Sequence, residues 1–187
     1  NNIFDLPQSL TVVGGKPDLT LSEGSYSHEG SVHTDTSGID VVSFTVNNQG
    51  SAGVPLRVLG NTGTIQYSTQ VRVFLIDNNK IEAQGGNPHD ATFITNVINS
   101  LGGINDLDLD ADDPINILNV ATIQGPQPGG LSAGGSFRWD NNLAHGLIFR
   151  RPDRHAPGPY SVGLWVDPYD EVAESDEGNN ILILPGI

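Results

Sequence analysis

Apolar positions along this chain recur mostly with a period of two. Tyr160, Val162, Leu164 and Val166 alternate with Ser161, Gly163, Trp165 and Asp167, the pattern of a strand with one buried face. Asp167-Pro168 ends the run, because proline has no N–H for a ladder and restricts the residue before it. Gly178-Asn179-Asn180 then turns the chain, and Ile181 to Leu184 is a second apolar run. The two runs read as a hairpin with a long tip.

The same pattern recurs upstream. Leu19 and Leu21 alternate within Pro17–Ser22, and Val42, Phe44 and Val46 share one face of Ile39–Val46. Glu23 to Gly38 is polar and glycine-rich and reads as loop. Asn47-Asn48-Gln49-Gly50 is turn chemistry, and Pro55–Leu59 is a short strand candidate. Ile65–Asp77 is the longest strand candidate, with Val71, Val73 and Leu75 on one side and Arg72, Phe74 and Ile76 on the other. Apolar residues on both sides predict a central strand covered on both faces. Ser136–Asp140, with Phe137 and Trp139, and Leu147–Arg150 are two further short strands. Asn1 to Gly15 is a poorly patterned leader, a linker or an added edge strand, so the domain is predicted over 16–187.

One region departs from this period. Residues 78–130 are too long for a simple crossing between strands and read as an insertion. Within it Asp90 is placed to cap a helix from Ala91 to Leu101. Phe93, Ile94, Val97, Ile98 and Leu101 fall on one helical face, and Gly102-Gly103 is a stop. Ile115–Thr122 is strand-like, and Gln124–Gly130 is a return loop. Seven or eight short strands with little helix predict an all-β fold, an antiparallel sandwich in one domain with this long insertion.

The totals narrow the function. The chain has 187 residues, 22 acidic and 8 basic, for a net charge of −14. Such a field repels nucleic acid and anionic membrane surfaces and attracts cations. No run approaches the roughly 20 apolar residues of a membrane span. There is no cysteine, which excludes disulfides and thiolate chemistry. There is also no methionine, as expected of a processed chain or a piece of a longer one. Few lysines and arginines beside abundant Gly, Asn, Asp, Ser and Thr fit a secreted bacterial β protein.

Two acidic stretches are candidate metal sites. The hairpin tip carries Asp167, Asp170, Glu171, Glu174, Asp176 and Glu177. Crowded carboxylates raise the cost of ionising one another, and Ca²⁺ offsets that repulsion with six to eight oxygen ligands in flexible geometry. Asp167, Asp170, Glu174, Asp176 and the amides of Asn179 and Asn180 are suitable ligands. A solvated loop, with both asparagines serving the turn, accounts for the same residues. The second stretch is Asp106, Asp108, Asp110, Asp112 and Asp113. In extended chain its even-numbered aspartates share one side, and a metal staple would order an insertion without sheet partners. Ala111 and Ile117 stand where a calcium-binding EF-hand loop needs Gly and Glu, so a true EF-hand is excluded. Here too a solvated loop is the simpler alternative.

The remaining signals are weaker. Arg150, Arg151, Arg154 and His155, with Arg138, form a basic patch whose simplest use is pairing with the protein's own acids. Trp139 reads as core. Trp165 lies on the polar parity of its strand, either under the insertion or as a sugar-stacking residue, and burial is preferred. No H-E-x-x-H, G-x-S-x-G, P-loop or G-x-G-x-x-G occurs. Glycoside hydrolysis needs only two carboxylates at the right separation and no motif, but acids concentrated on loop tips away from a cleft of aromatics argue against it, and the chain is read as not an enzyme.

The hairpin also resembles a known family. Val166-Asp167-Pro168, then Val172-Ala173-Glu174-Ser175-Asp176-Glu177, then Asn179-Asn180 before an apolar strand is similar to the closing hairpin of CARDB domains. These are immunoglobulin-like modules of bacterial and archaeal surface and secreted proteins. Pro17-Asp18-Leu19, Val46-Asn47-Asn48-Gln49-Gly50, Leu131-Ser132-Ala133-Gly134-Gly135 and Pro157-Gly158-Pro159-Tyr160 fall in the family's order. The resemblance spans Lys16 to Leu184. It implies an immunoglobulin-like sandwich and a non-catalytic structural or adhesive module, extracellular, with neighbouring domains on a longer chain. A glycan or a cell-surface protein would be its partner. A carbohydrate-binding accessory domain of a secreted hydrolase is the alternative, with Trp165, Tyr169 or the arginine loop as contacts.

Overall fold

The computed structural model describes residues 14–29, 39–54, 56–59, 64–67, 70–107, 112–122, 131–139, 147–149 and 159–185. In chain order the elements are β1 (Leu19–Glu29), β2 (Ile39–Asn48), β3 (Leu56–Leu59), β4 (Thr64–Tyr67), β5 (Gln70–Asp77), α1 (Asn78–Ala83), α2 (Ala91–Ser100), β6 (Ile115–Thr122), β7 (Ser136–Trp139), β8 (Leu147–Phe149), β9 (Tyr160–Val166) and β10 (Ile181–Leu184). They build an immunoglobulin-like, antiparallel all-β sandwich. One sheet has β2 at its centre, with β1 on one side and β7 and β8 one after the other along its far edge. The second runs β10-β9-β5-β6, and β3 and β4 form a separate hairpin.

The period-two pattern explains the first core. Leu19, Leu21, Val42, Phe44 and Val46 from one sheet meet Val71, Val73, Val162, Leu164 and Val166 from the other, joined by Val54 and Val172. Each such side chain removed from water contributes about 1.5–3 kcal/mol. As its pattern predicts, β5 is covered on both faces. Its other parity, Phe74 and Ile76, enters a second core with Ile81 of α1, Ile94, Val97 and Ile98 of α2, Ile104, Leu107 and Ile115. The capping residues are those the sequence supplies. Asp90 accepts the N–H groups of Thr92 and Phe93 at 2.9 and 3.2 Å, and Gly102 and Gly103 end α2 at φ +103° and +99°. Those angles are open to glycine and strained for most other residues.

Four expectations are corrected. The run Ile65–Asp77 is two strands, β4 and β5, in different sheets. Strand β1 continues past Ser22 to Glu29, through a register shift between Ser22 and Ser25 where Glu23 takes φ +50°. A short helix, α1, follows β5 directly, capped by Asp77. Finally Ile115–Thr122, predicted to lie within the insertion, is the edge strand β6, paired with β5 from Gln70↔Thr122 to Ile76↔Ile115. The segment set into the sandwich is therefore 78–114. Residues 123–130, like the leader 1–13 and the loop 30–38, lie outside the described residues.

Candidate functional site

Strands β9 and β10 pair as the sequence predicts, from Trp165↔Ile181 to Val162↔Leu184. Their tip folds back over the end of the sandwich and meets the start of β1. Burial alternates from Val172 onward: Val172 and Glu174 are buried while Ala173 and Ser175 are exposed. Val172 enters the first core, and the Glu174 carboxylate follows it to 3% exposure.

There Glu174 Oε2 accepts the backbone N–H of Leu19, and Oε1 accepts Asn180 Nδ2 at 3.2 Å. The carboxylate thus fills the place of a ladder partner for the first residue of β1. Neighbouring contacts complete the clasp. Ser175 N–H donates to Pro17 O at 2.9 Å, Lys16 Nζ to Glu174 O at 3.2 Å, and Asn179 Nδ2 to Asp18 Oδ1 at 2.9 Å. Glu177 Oε1 accepts Glu174 N–H at 2.8 Å, and Asp176 Oδ1 accepts Gly178 N–H at 2.8 Å.

Asp167 is the second buried acid, 3% exposed. Its two oxygens accept the N–H groups of Glu171 at 3.2 Å and Val172 at 2.8 Å, closing the turn that sends Val172 into the core. Asp167 and Asp170 both take positive φ, +47° and +52°, which aspartate tolerates better than most residues. Burial pushes both buried carboxyls up. For Glu174 the carboxyl lies at about 7, mainly from desolvation, opposed by the Leu19 N–H and raised further by Glu177 and Asp167. For Asp167 desolvation again leads, against the two N–H donors, with Glu177 and Glu171 adding repulsion.

This geometry sorts the predicted ligands. The tip brings Asp167, Glu174, Asp176, Asn179 and Asn180 together; the three carboxylates accept backbone N–H groups, and the two asparagine amides donate to Asp18 and Glu174. Asp170 is exposed at the surface. Among the described residues no three His, Asp or Glu side chains gather as a metal-holding group. In the insertion, Asp106 lies against Gly102, Asp112 is exposed and Asp113 half-buried. Asp108 and Asp110 lie outside the described residues, as do Arg150, Arg151, Arg154 and His155. Arg138 pairs with Glu23 at 3.0 Å, the use expected of the basic residues. The side chain of Trp139 is also outside what is described.

Trp165 is half-buried, packed on the second core, so the insertion covers it in part. Tyr169 is engaged by Arg72, whose guanidinium lies 5.3 Å from the ring centre and donates to the Tyr169 hydroxyl. Burial holds the Arg72 guanidinium below its usual range. The sequence reading missed Asn48. At 1% exposure it accepts Asp18 N–H and Gly50 N–H, both at 3.1 Å, and reaches the carbonyls of Ala52, Leu131 and Ser132 at 2.8–3.2 Å.

No family model matches this chain, and no curated protein does. Among solved structures, it is similar to the CARDB domain of a Pyrococcus furiosus protein, solved in complex with di-metal ions. The likeness covers 90% of this chain and 85% of that one, at 16% identity and a TM-score of 0.44. The class defined by the strands themselves is the immunoglobulin-like β-sandwich. Among the described residues no helix is long and apolar enough to cross a membrane.

Proposed function

We propose that this chain is a non-catalytic structural or adhesive module of an extracellular protein, secreted or on a bacterial cell surface, with further domains on the same chain. The observation that carries the reading is the tip. Its two buried acids, Asp167 and Glu174, are hydrogen-bonded to backbone N–H groups of the fold itself, which is the use of a strut rather than of an acid–base pair. The charge of −14 and the scarcity of lysine and arginine support an extracellular setting.

Calcium is the finer part of the proposal, and we assign it to Asp106, Asp108, Asp110, Asp112 and Asp113, because the buried acids of the tip already accept backbone N–H groups. An ion bound only by the folded form stabilises by RT ln(1 + [L]/Kd). The melting temperature is expected to be higher in millimolar calcium than in chelator, and the difference to vanish when Asp106, Asp112 and Asp113 are changed to Asn. An unchanged melting temperature removes calcium from the reading. The non-catalytic role fails if the chain shows a hydrolytic activity abolished by Glu174→Gln or Asp167→Asn while the melting temperature stays put.

A further inference from the structure

The tip and the insertion helix face one another across an open cleft of about 160 Å³. Thr92, Thr95 and Asn96 line it from the first half of α2, Glu177 and Asn180 line it from the tip, and Trp165 lies between them on β9. The position follows from the register. Trp165 sits in a cross-strand row between Ile181 and Arg72, two register positions beyond Gly163 and Phe74. The indole packs against the second core, and Arg72 in the same row lies against Tyr169. A large aromatic surface kept in place in this way loses little freedom when something stacks on it.

The polar groups around the indole are specific. Asn180 is 3% exposed. Its Nδ2 is used by Glu174, while its Oδ1 is buried with no hydrogen-bond partner among the described residues. Thr95 donates its hydroxyl proton to Ala91 O at 2.8 Å, so toward the cleft its oxygen can only accept. Glu177 is held by the Glu174 N–H. The lining contains no Lys, Arg or His, and the chain carries a net −14, so an anionic ligand is disfavoured. The cleft is smaller than the roughly 300–1,000 Å³ of sites for drug-sized ligands, which limits the occupant to about one ring. A single aromatic wall among hydroxyl, amide and one carboxylate group is also not the cage of aromatics that quaternary ammonium ligands require.

We propose that this cleft binds one neutral pyranose residue, such as the exposed end of a glycan, with its apolar face on Trp165 and its hydroxyls meeting Thr95, Asn96 and Glu177. This goes beyond the structural role and does not depend on calcium. The test is calorimetric titration of the whole chain with the methyl pyranosides of glucose, galactose, mannose and N-acetylglucosamine, followed in parallel by tryptophan fluorescence. At least one should bind saturably with a Kd of about 1 mM or tighter and perturb the emission. Trp165→Phe should weaken it about tenfold. Asn96→Ala, at an exposed helix position where folding is not at stake, should weaken it at unchanged melting temperature. The proposal is overturned if none of the four sugars binds, if both variants bind as well as the parent, or if choline or glucuronate binds as tightly as the best neutral sugar.

Discussion

Glu174 and Leu19 stand 155 positions apart, yet the carboxylate of one accepts the backbone N–H of the other. The last hairpin is thereby fastened to the first strand, and the fastening is ionisable. Glu174 has its folded pKa raised to about 7 from an ordinary 4.5. Between those values the folded protein keeps a proton that the unfolded chain has released. Stability therefore falls as pH rises through that window and levels off above about 7. The raised carboxyl of Asp167 acts in the same direction.

The expected size for Glu174 is about 3 kcal/mol as an upper bound. Urea unfolding from pH 5 to 8 should show wild type losing stability relative to Glu174→Gln, whose amide cannot titrate. The amide can be accommodated, because a rotated Asn180 would offer its unpartnered Oδ1 to the new N–H₂ group. Glu174→Ala should instead cost about 1–3 kcal/mol near pH 5, from the stranded Leu19 N–H. Parallel pH profiles for wild type and Glu174→Gln would refute the role.

Phe74 lies across Gly163 on the neighbouring strand, where a Cβ would enter the ring. Gly163→Ala should destabilise by about 1–3 kcal/mol through overpacking. The added cost should shrink when Phe74 is also changed to Leu, giving a coupling measurable by a double-mutant cycle. Simple additivity of the two changes would contradict the contact.

Asn48 holds the start of β1, its own turn and the loop at 131–132. Asn48→Ala strands several buried groups and should cost about 1–3 kcal/mol. Asn48→Asp should be worse, since it removes both N–H donors from facing carbonyls and buries a charge. Equilibrium denaturation of both variants checks the order.

Asp90→Ala removes two capping bonds from α2 and should cost about 1 kcal/mol. Hydrogen exchange should speed up in α2 while β9 keeps its protection, because the sheet retains its own ladders.

The sandwich was legible where the pattern is local. The two-sided apolar pattern of β5 announced a covered central strand, and the Asp90 cap with its helical stripe announced α2. Addresses were less legible than elements. Ile115–Thr122 looks like a strand by composition, but its pairing with β5 depends on register across the insertion, which no local signal encodes. No glycine or proline stands between Tyr67 and Gln70, so the division of β4 from β5 left no mark. The bulge at Glu23 hides in polar sequence because its side chain spans to Thr45 and Arg138 rather than into a core. At the tip, the count of acids suggested a cation. The buried ones, Asp167 and Glu174, also meet peptide N–H groups, which are invisible in a string of side chains.

The two-faced sheet has a consequence for anyone trimming this molecule. Excising 78–114 to obtain a shorter sandwich would leave Phe74, Ile76, Ile115 and much of Trp165 facing solvent as one greasy wall. Such a truncation should aggregate unless those positions are rewritten as polar residues. The helical segment is thus a lid that the barest version of the architecture lacks but this sequence cannot do without.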